Sequence, residues 1–373
     1  MDKLGLAVVG PSGVIGRKHV EEVAASPSAR LVAIHDVNTQ AAEAQAAELG
    51  TKSYETLDEL LGDPQVDAIT IATPHPFHMP VALKAFEAGK HVLSEKPIAA
   101  TPSEADRMVK AARDAGLKLG VVFQNRFRSE AIRIREMVND GTLGELYRTS
   151  LLFAGFRSQA YYDSAPWRGT WSGEGGGALF NQGIHQLDFF QWLGGMPNVV
   201  HGQAGTLMHD IEVEDSASAL LGYANGAQGL IHCNTVQAPS QTRVELWGEK
   251  GGIVIADDKV SYYRLDVGLR EFSSQKQNNA FAKPVVSEVP LGLEVSAADH
   301  ADTIEDFARA VLDDREPAAP GEEGVKSLEL AAAVIYSSCM GRPVELPLDR
   351  AAYDTLLDDL KQRRSLFTQN PSR

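Results

Sequence analysis

Leu4-Gly5-Leu6-Ala7-Val8-Val9 is an almost unbroken apolar run, and the turn Gly10-Pro11-Ser12-Gly13-Val14-Ile15-Gly16 follows it directly. A strand that is apolar at every position is buried on both faces, as in a parallel sheet covered by helices. Arg17–Ala25 then reads as a helix. Strand, glycine turn and helix in this order are the context of a dinucleotide fingerprint. The glycines permit a tight turn and a close backbone approach to a pyrophosphate. The helix N-terminus adds free N–H groups and the positive end of its dipole. Gly10, Ser12, Gly13, Val14, Ile15 and Gly16 are therefore expected cofactor contacts, although the spacing is G-x-x-G-x-x-G and not G-x-G-x-x-G.

The pattern repeats. Leu31–Asp36 reads as a second strand, and Asp36 stands 36 − 16 = 20 residues past Gly16. An acid there accepts hydrogen bonds from the adenosine ribose and repels a 2′-phosphate, which favours NAD, with NADP still possible. The competing role for Asp36 is an N-cap for Ala41–Leu49, but Asn38 and Thr39 are better placed to cap. Val66–Thr73 is another buried strand, followed by the turn Thr73-Pro74-His75-Pro76-Phe77-His78 and a helix over Val81–Ala88. His75 and His78 have no acidic or cysteine neighbour in that turn, so they read as loop and cap residues beside the cofactor cleft, and no metal is expected. His91-Val92-Leu93 is a strand, Ala99–Asp106 starts a helix, and Leu117–Phe123 is a further strand. Between them lies Ser94-Glu95-Lys96-Pro97. Lys96 thus stands just past the carboxyl end of a strand, where open parallel sheets bind ligands. A solvated surface charge is the plain alternative.

The chain has 373 residues, enough for two domains. After residue 123 the pattern changes. Glu130–Val138 reads as a helix, and Leu146–Phe156, Ser216–Tyr223, Gln228–Val236, Thr242–Trp247 and Gly252–Ala256 read as strands joined by short turns, with a hairpin signal at Asn225-Gly226. Helices follow at Asp299–Leu312, Lys326–Ser338 and Arg350–Arg364, then a frayed tail over Ser365–Arg373. The expected fold is α/β: a doubly wound Rossmann domain (1–123), an α/β domain with a large open, mainly antiparallel sheet (124–349), and a C-terminal helix and tail (350–373). A net charge of −15 disfavours nucleic acid and anionic membranes as partners. Cys233 and Cys339 are too few for a disulfide scaffold. No apolar stretch approaches the ~18 residues of a membrane span, and the N-terminal run is too short for a signal peptide. A cytoplasmic location is expected.

A second constellation runs from Trp167-Arg168 through Gly175-Gly176-Gly177 to Asn181, His185 and Asp188. Helical apolar spacing from Gly177 to Trp192 places Asn181 and His185 four apart on one helix face. Histidine titrates near neutrality, which suits a proton acceptor.

With the glycine turn, Thr73-Pro74 with His78, Glu95-Lys96-Pro97 and the segment bearing His185 and Asp188, the chain resembles the glucose-fructose oxidoreductase / inositol dehydrogenase / rhizopine catabolism (Gfo/Idh/MocA) family over nearly its whole length. Tyr161-Tyr162 through Trp171 resembles its branch of nucleotide-sugar and uronate dehydrogenases. The resemblance implies an NAD(P)-dependent hydride transfer at a secondary hydroxyl of a sugar, cyclitol or sugar derivative. It implies a homodimer or homotetramer, with Lys96 touching both the substrate and the cofactor, and His185 acting in proton transfer. Many relatives have Asp where this chain has Asn181. Thr73, Pro74, His78, Glu95, Lys96, Pro97, Gln124, Trp167 and Arg168 join the expected cofactor contacts. Asn125, Arg126, Arg157, Tyr162, Asn181, His185 and Lys96 are the expected substrate contacts, with Lys96, His185 and Asn181 catalytic. The family also holds NAD-dependent glycosidases, the alternative activity, and non-catalytic cofactor-binding regulators, disfavoured here by Lys96 and His185. No role is assigned to His300.

Overall fold

The structure is a computed structural model that describes residues 3–256, 259–277, 279–292 and 297–363. The tail expected over Ser365–Arg373 lies outside the described residues. Strands β1 (Leu4–Val9), β2 (Ala29–His35), β3 (Lys52–Ser53), β4 (Ala68–Ile71), β5 (His91–Ser94) and β6 (Leu119–Val121) form one parallel sheet in the order β3-β2-β1-β4-β5-β6. Every residue of β1 and β4 is buried, as their apolar runs require. Helices α1 (Val14–Ala25), α2 (Thr39–Leu49), α3 (Leu57–Gly62), α4 (His78–Glu87) and α5 (Pro102–Ala115) lie between the strands. α5 begins at Pro102 rather than Ala99 because the Thr101 hydroxyl caps it, accepting from Glu104 N at 3.2 Å. The strand order reverses between β1 and β4, which opens a crevice at their carboxyl ends.

The second sheet contains β7 (Leu146–Phe156), β8 (Val199–Gly205), β9 (Ser216–Gly222), β10 (Gln228–Asn234), β11 (Val236–Gly248), β12 (Gly251–Ala256), β13 (Lys259–Leu265), β14 (Val286–Val289) and β15 (Val344–Glu345). Its order is β14-β13-β12-β11-β7-β10-β9-β8-β15, and among the described residues only the β7–β10 pair is parallel. The mainly antiparallel sheet is therefore as expected, but the pattern missed β8, β13, β14 and β15 and started β11 six residues late. β9 alternates between buried and solvent-facing positions, the sign of a sheet covered on one face.

The helices after the first sheet are α6 (Ser129–Asn139), the single turns α7 (Gln159–Tyr162) and α8 (Trp171–Glu174), α9 (Ile184–Gly194), α10 (Leu269–Ser274), α11 (His300–Leu312), α12 (Gly321–Met340) and α13 (Arg350–Arg363). α9 packs on β7, and α12 packs on β8, β9 and α5. α11 packs elsewhere. Its Ile304, Phe307 and Ala308 are buried with Leu4, Leu6, Val8 and Leu93 of the first sheet. A helix from the C-terminal part of the chain thus completes the packing of the N-terminal sheet. Among the described residues no helix is long and apolar enough to cross a membrane.

Candidate active site

The glycine turn after β1 is built by close approach. Gly10 has φ +88°, and a Cβ on Gly16 would lie 2.0 Å from the Gly10 carbonyl oxygen. A Cβ on Gly13 would meet nothing within 4 Å, so this side of the turn stays open. Val14 is 87% exposed at the N-terminus of α1, beside N–H groups that have no intrahelical partner. Asp36 ends β2. One of its carboxylate oxygens accepts from Ser12 N at 3.0 Å and the other from Asn38 N at 2.9 Å. Each oxygen keeps a lone pair for a ribose hydroxyl. The cap of α2 is Asn38, whose side chain accepts from Ala41 N.

Lys96 follows β5, at the same end of the sheet. It is partly buried, and its Nζ donates to the main-chain oxygen of Asn181 at 2.8 Å. Burial lowers its pKa from 10.5, against the opposing charges of Glu95 and Glu174. His185 lies in the first turn of α9. Burial, and then the charge of Lys96, push its pKa down to about 3, so it is a neutral imidazole at neutral pH. Its Nδ1 is buried with no hydrogen-bond partner among the described residues.

Asn181 does not share a helix with His185. The helix starts at Ile184, and Asn181 lies in the preceding turn, its N–H donating to Gly177 O at 3.0 Å. The glycines of that turn answer to close packing: a Cβ on Gly177 would lie 2.0 Å from the main-chain oxygen of Glu214. The Asn181 amide donates to Glu174 Oε1, while Glu174 Oε2 accepts from Gly169 N at 2.6 Å. The buried Glu214 carboxylate accepts from Gly177 N and Leu179 N, and burial pushes its pKa up to about 7. Arg168 stacks between Tyr161 and Trp167, 4.4 and 4.5 Å from their ring centroids. The Tyr161 hydroxyl oxygen accepts from Arg168 Nη1 at 2.5 Å and from Gln182 Nε2 at 2.9 Å.

Four expected contacts are corrected. Arg126 is buried, donates twice to Asp188 (2.9 and 2.6 Å) and once to Glu323, and so serves the interior rather than a substrate. Tyr162 points inward, its hydroxyl 2.8 Å from Thr235 Oγ1, and Tyr161 faces the cluster instead. His78 is fully buried with its ring nitrogens 2.8 Å from the main-chain oxygens of Pro97 and Thr73, a bracket between two loops rather than a cofactor contact. The Glu95 carboxylate turns away from the cleft towards His19 and His300. Arg157 reaches the same cluster from the end of β7, its guanidinium 5.4 Å from the Tyr161 centroid. Gln124 and Asn125 occupy the turn after β6. The sequence assigns no site role to Glu174, Tyr161, Gln182 or Glu214. Only the triple glycine hinted at something packed so closely behind it.

Ser12 Oγ, Thr73 Oγ1, Gln124 Oε1, Arg168 Nε, Gln182 Oε1 and His185 Nδ1 are buried without a hydrogen-bond partner among the described residues. Unpaired buried polar atoms are costly unless a ligand or water completes them. Five of them sit in the turns after β1, β4 and β6 and in the segment from Arg168 to Gln182, and His185 in the first turn of α9, so the residues present fit a dinucleotide and a polar substrate.

Comparison with known proteins agrees. Residues 4–123 match the model of an oxidoreductase family with an NAD-binding Rossmann fold, and residues 131–254 match the GFO/IDH/MocA C-terminal domain. The chain belongs to the GFO/IDH/MocA family of oxidoreductases. Its N-terminal domain is the NAD-binding Rossmann fold of that family. It is similar to the WlbA dehydrogenase of Bordetella pertussis, solved in complex with NADH and UDP-GlcNAcA, with 31% identity and a TM-score of 0.77 over 93% of this chain and 100% of that one. It is also similar to inositol 2-dehydrogenase of Rhizobium meliloti, 27% identical over 90% of this chain and 97% of that protein. 1,5-Anhydro-D-fructose reductase of Ensifer adhaerens is 26% identical over 93% of this chain and 99% of that protein.

Proposed function

We propose that this oxidoreductase interconverts a secondary hydroxyl and a ketone on a carbohydrate or polyol, with Lys96, His185 and Asn181 around the reacting carbon. The observation that carries the reading is the unpartnered, neutral His185 Nδ1 within electrostatic reach of the Lys96 ammonium. When bound, NAD takes up or returns the hydride. The Lys96 ammonium stabilises the developing alkoxide. His185, neutral and free at Nδ1, takes the hydroxyl proton. The positive charge of Lys96 weakens His185 as a base, so the two act as a coupled pair that holds one proton in the resting state. The Asn181 amide is spent on Glu174, which leaves its Oδ1 and its main chain to position the substrate and Lys96. Gly10, Ser12, Gly13, Val14, Ile15, Gly16, Thr73, Pro74 and Gln124 would hold the dinucleotide, and Asp36 its ribose, with NAD preferred over NADP.

Arg157 and Arg168, both over the Tyr161 ring, favour a sugar with an acidic substituent, the class of ligand named in the WlbA complex. The test is a panel of cyclitols, free sugars, glycosides and nucleotide-linked uronates, followed through NADH absorbance. NADH formation with an acidic sugar supports the reading. Hydrolysis of a glycoside without net NADH would replace it with the glycosidase. Residues 1–123 would be the NAD-binding unit, 124–349 the substrate-binding and oligomerisation unit, and 350–373 a helix and tail. The outer face of the second sheet exposes Leu220 and Leu230 (58% and 48%), and a second copy of the chain would cover it. Light scattering should therefore report a dimer or tetramer, and a monomer would refute this contact.

A further inference from the structure

His300 is the first residue of α11, 8% exposed, and its helix is anchored on the first sheet by Ile304 and Phe307. Its Nε2 faces Glu95 Oε1 at 3.4 Å, and its Nδ1 faces Asp299 Oδ1 at 3.1 Å. Two carboxylate oxygens can both be satisfied by one imidazole only when both ring nitrogens carry hydrogen. The same Glu95 oxygen accepts from His19 Nε2 at 2.8 Å, and His19 Nδ1 meets Thr70 Oγ1 at 2.7 Å. The other Glu95 oxygen accepts the main-chain N–H of Lys96 at 3.0 Å.

We propose that His300 is a positioning residue for Lys96: as an imidazolium between Glu95 and Asp299, it fixes the carboxylate that holds the Lys96 main chain. This rests on the role of Lys96 given above. The groups that face His300 are Lys18, His19 and Glu22 of α1, Glu95 after β5, its own neighbour Asp299, and more distantly His185 of α9. Lys18 opposes the charge on His300 but is itself bonded to Asp299. Burial would lower the His300 pKa, yet the hydrogen bond and charge of Glu95, with the bond to Asp299, raise it above 6.5. The same bonds, from His19 and His300, hold the Glu95 carboxyl well below its ordinary range despite burial. A group whose pKa is raised on folding contributes fully below its unfolded value and is lost as pH rises through the folded one. The clamp therefore releases on the alkaline side, opposite to the acidic limb that a proton-accepting base imposes.

Two measurements test this. Ring nitrogen NMR of the full-length protein with labelled histidine, with His300 assigned through its backbone, should show both nitrogens protonated at pH 7 and a titration above 6.5. A neutral His300 ring at pH 7 would overturn the proposal, whatever the substrate proves to be. On a substrate found in the panel, His300→Gln should lower kcat by about 10- to 100-fold, as displacement of a catalytic group does, with little change in KM for NAD. It should also remove the contribution of His300 to the alkaline limb of kcat and leave the one that loss of the Lys96 ammonium imposes. His300→Arg, a fixed cation, should keep activity to higher pH than the wild type. An alkaline limb that survives unchanged in His300→Gln also overturns the proposal.

Discussion

Asn181→Asp puts a carboxylate where the structure has an amide hydrogen donor, and its outcome depends on what residue 181 touches. From the sequence alone, an Asp on the helix of His185 would favour the imidazolium and leave an active enzyme. In the structure the Asn181 amide donates to the buried Glu174, so the variant opposes two carboxylates at hydrogen-bond separation. At ~3 Å and an effective dielectric constant of ~20, two such charges repel by roughly 5 kcal/mol. The pair avoids most of this by binding one proton, and burial already raises the Glu174 pKa. The cost then depends on pH. Unfolded, both carboxyls ionise near ~4. Folded, one of them titrates far higher, so the variant matches the wild type best in acid and loses ~1.4 kcal/mol per pH unit up to that folded pKa. Urea denaturation of the wild type and Asn181→Asp at pH 5 and pH 8 should show the stability difference growing by about 2–4 kcal/mol. Differencing removes the wild type's own pH slope. A difference that is the same at both pH values would refute the Asn181–Glu174 contact and the reasoning built on it.

Other outcomes follow from the same geometry. Asp36→Ala should narrow the preference for NAD over NADP by one to two decades in kcat/KM, since a partly screened charge clash is worth roughly 1–3 kcal/mol; equal kcat/KM for both cofactors in the wild type would contradict it. Lys96→Ala should cost on the order of 10²-fold or more in kcat while calorimetry still detects NAD binding, and Lys96→Arg should not restore turnover, because a planar guanidinium is not a compact point charge. Arg126→Ala should destabilise the fold by about 3–5 kcal/mol in chemical denaturation, because it strands the fully buried Asp188 carboxylate; a loss confined to KM would instead return Arg126 to the substrate site.

The first sheet is legible because its signals are local. Apolar runs, glycine turns and an acid at the end of β2 all lie within a few residues of what they determine, and Lys96 is marked by the strand before it. The second sheet is legible as a type but not in detail. β8, β13 and β14 carry weaker alternation, and β15 is two residues long. Around the site the failures are of direction and distance. Tyr161 and Tyr162 are neighbours on a single helical turn, and no local pattern says which ring turns inward. The apolar spacing that suggests a helix from Gly177 onwards is real, but the close contact of Gly177 with Glu214 forces a turn first. Arg126 looks like a cleft residue until Asp188, 62 positions later, is seen against it.

Three buried carboxylates share a physical role. Glu95 binds Lys96 N, Glu174 binds Gly169 N, and Glu214 binds Gly177 N and Leu179 N. Each is buried, and each accepts a hydrogen bond from the main chain of a loop that carries a functional residue. Had one of them paired with the Lys96 ammonium, the site would hold a neutral ion pair and offer little to a developing oxyanion. Instead the Lys96 Nζ bonds a neutral carbonyl, that of Asn181, and keeps further N–H donors. Anchoring the loops by carboxyl-to-amide bonds thus fixes the geometry of Lys96 without neutralising it. That is the condition electrostatic catalysis requires: preorganised positive charge, shielded from water and left for the substrate oxygen.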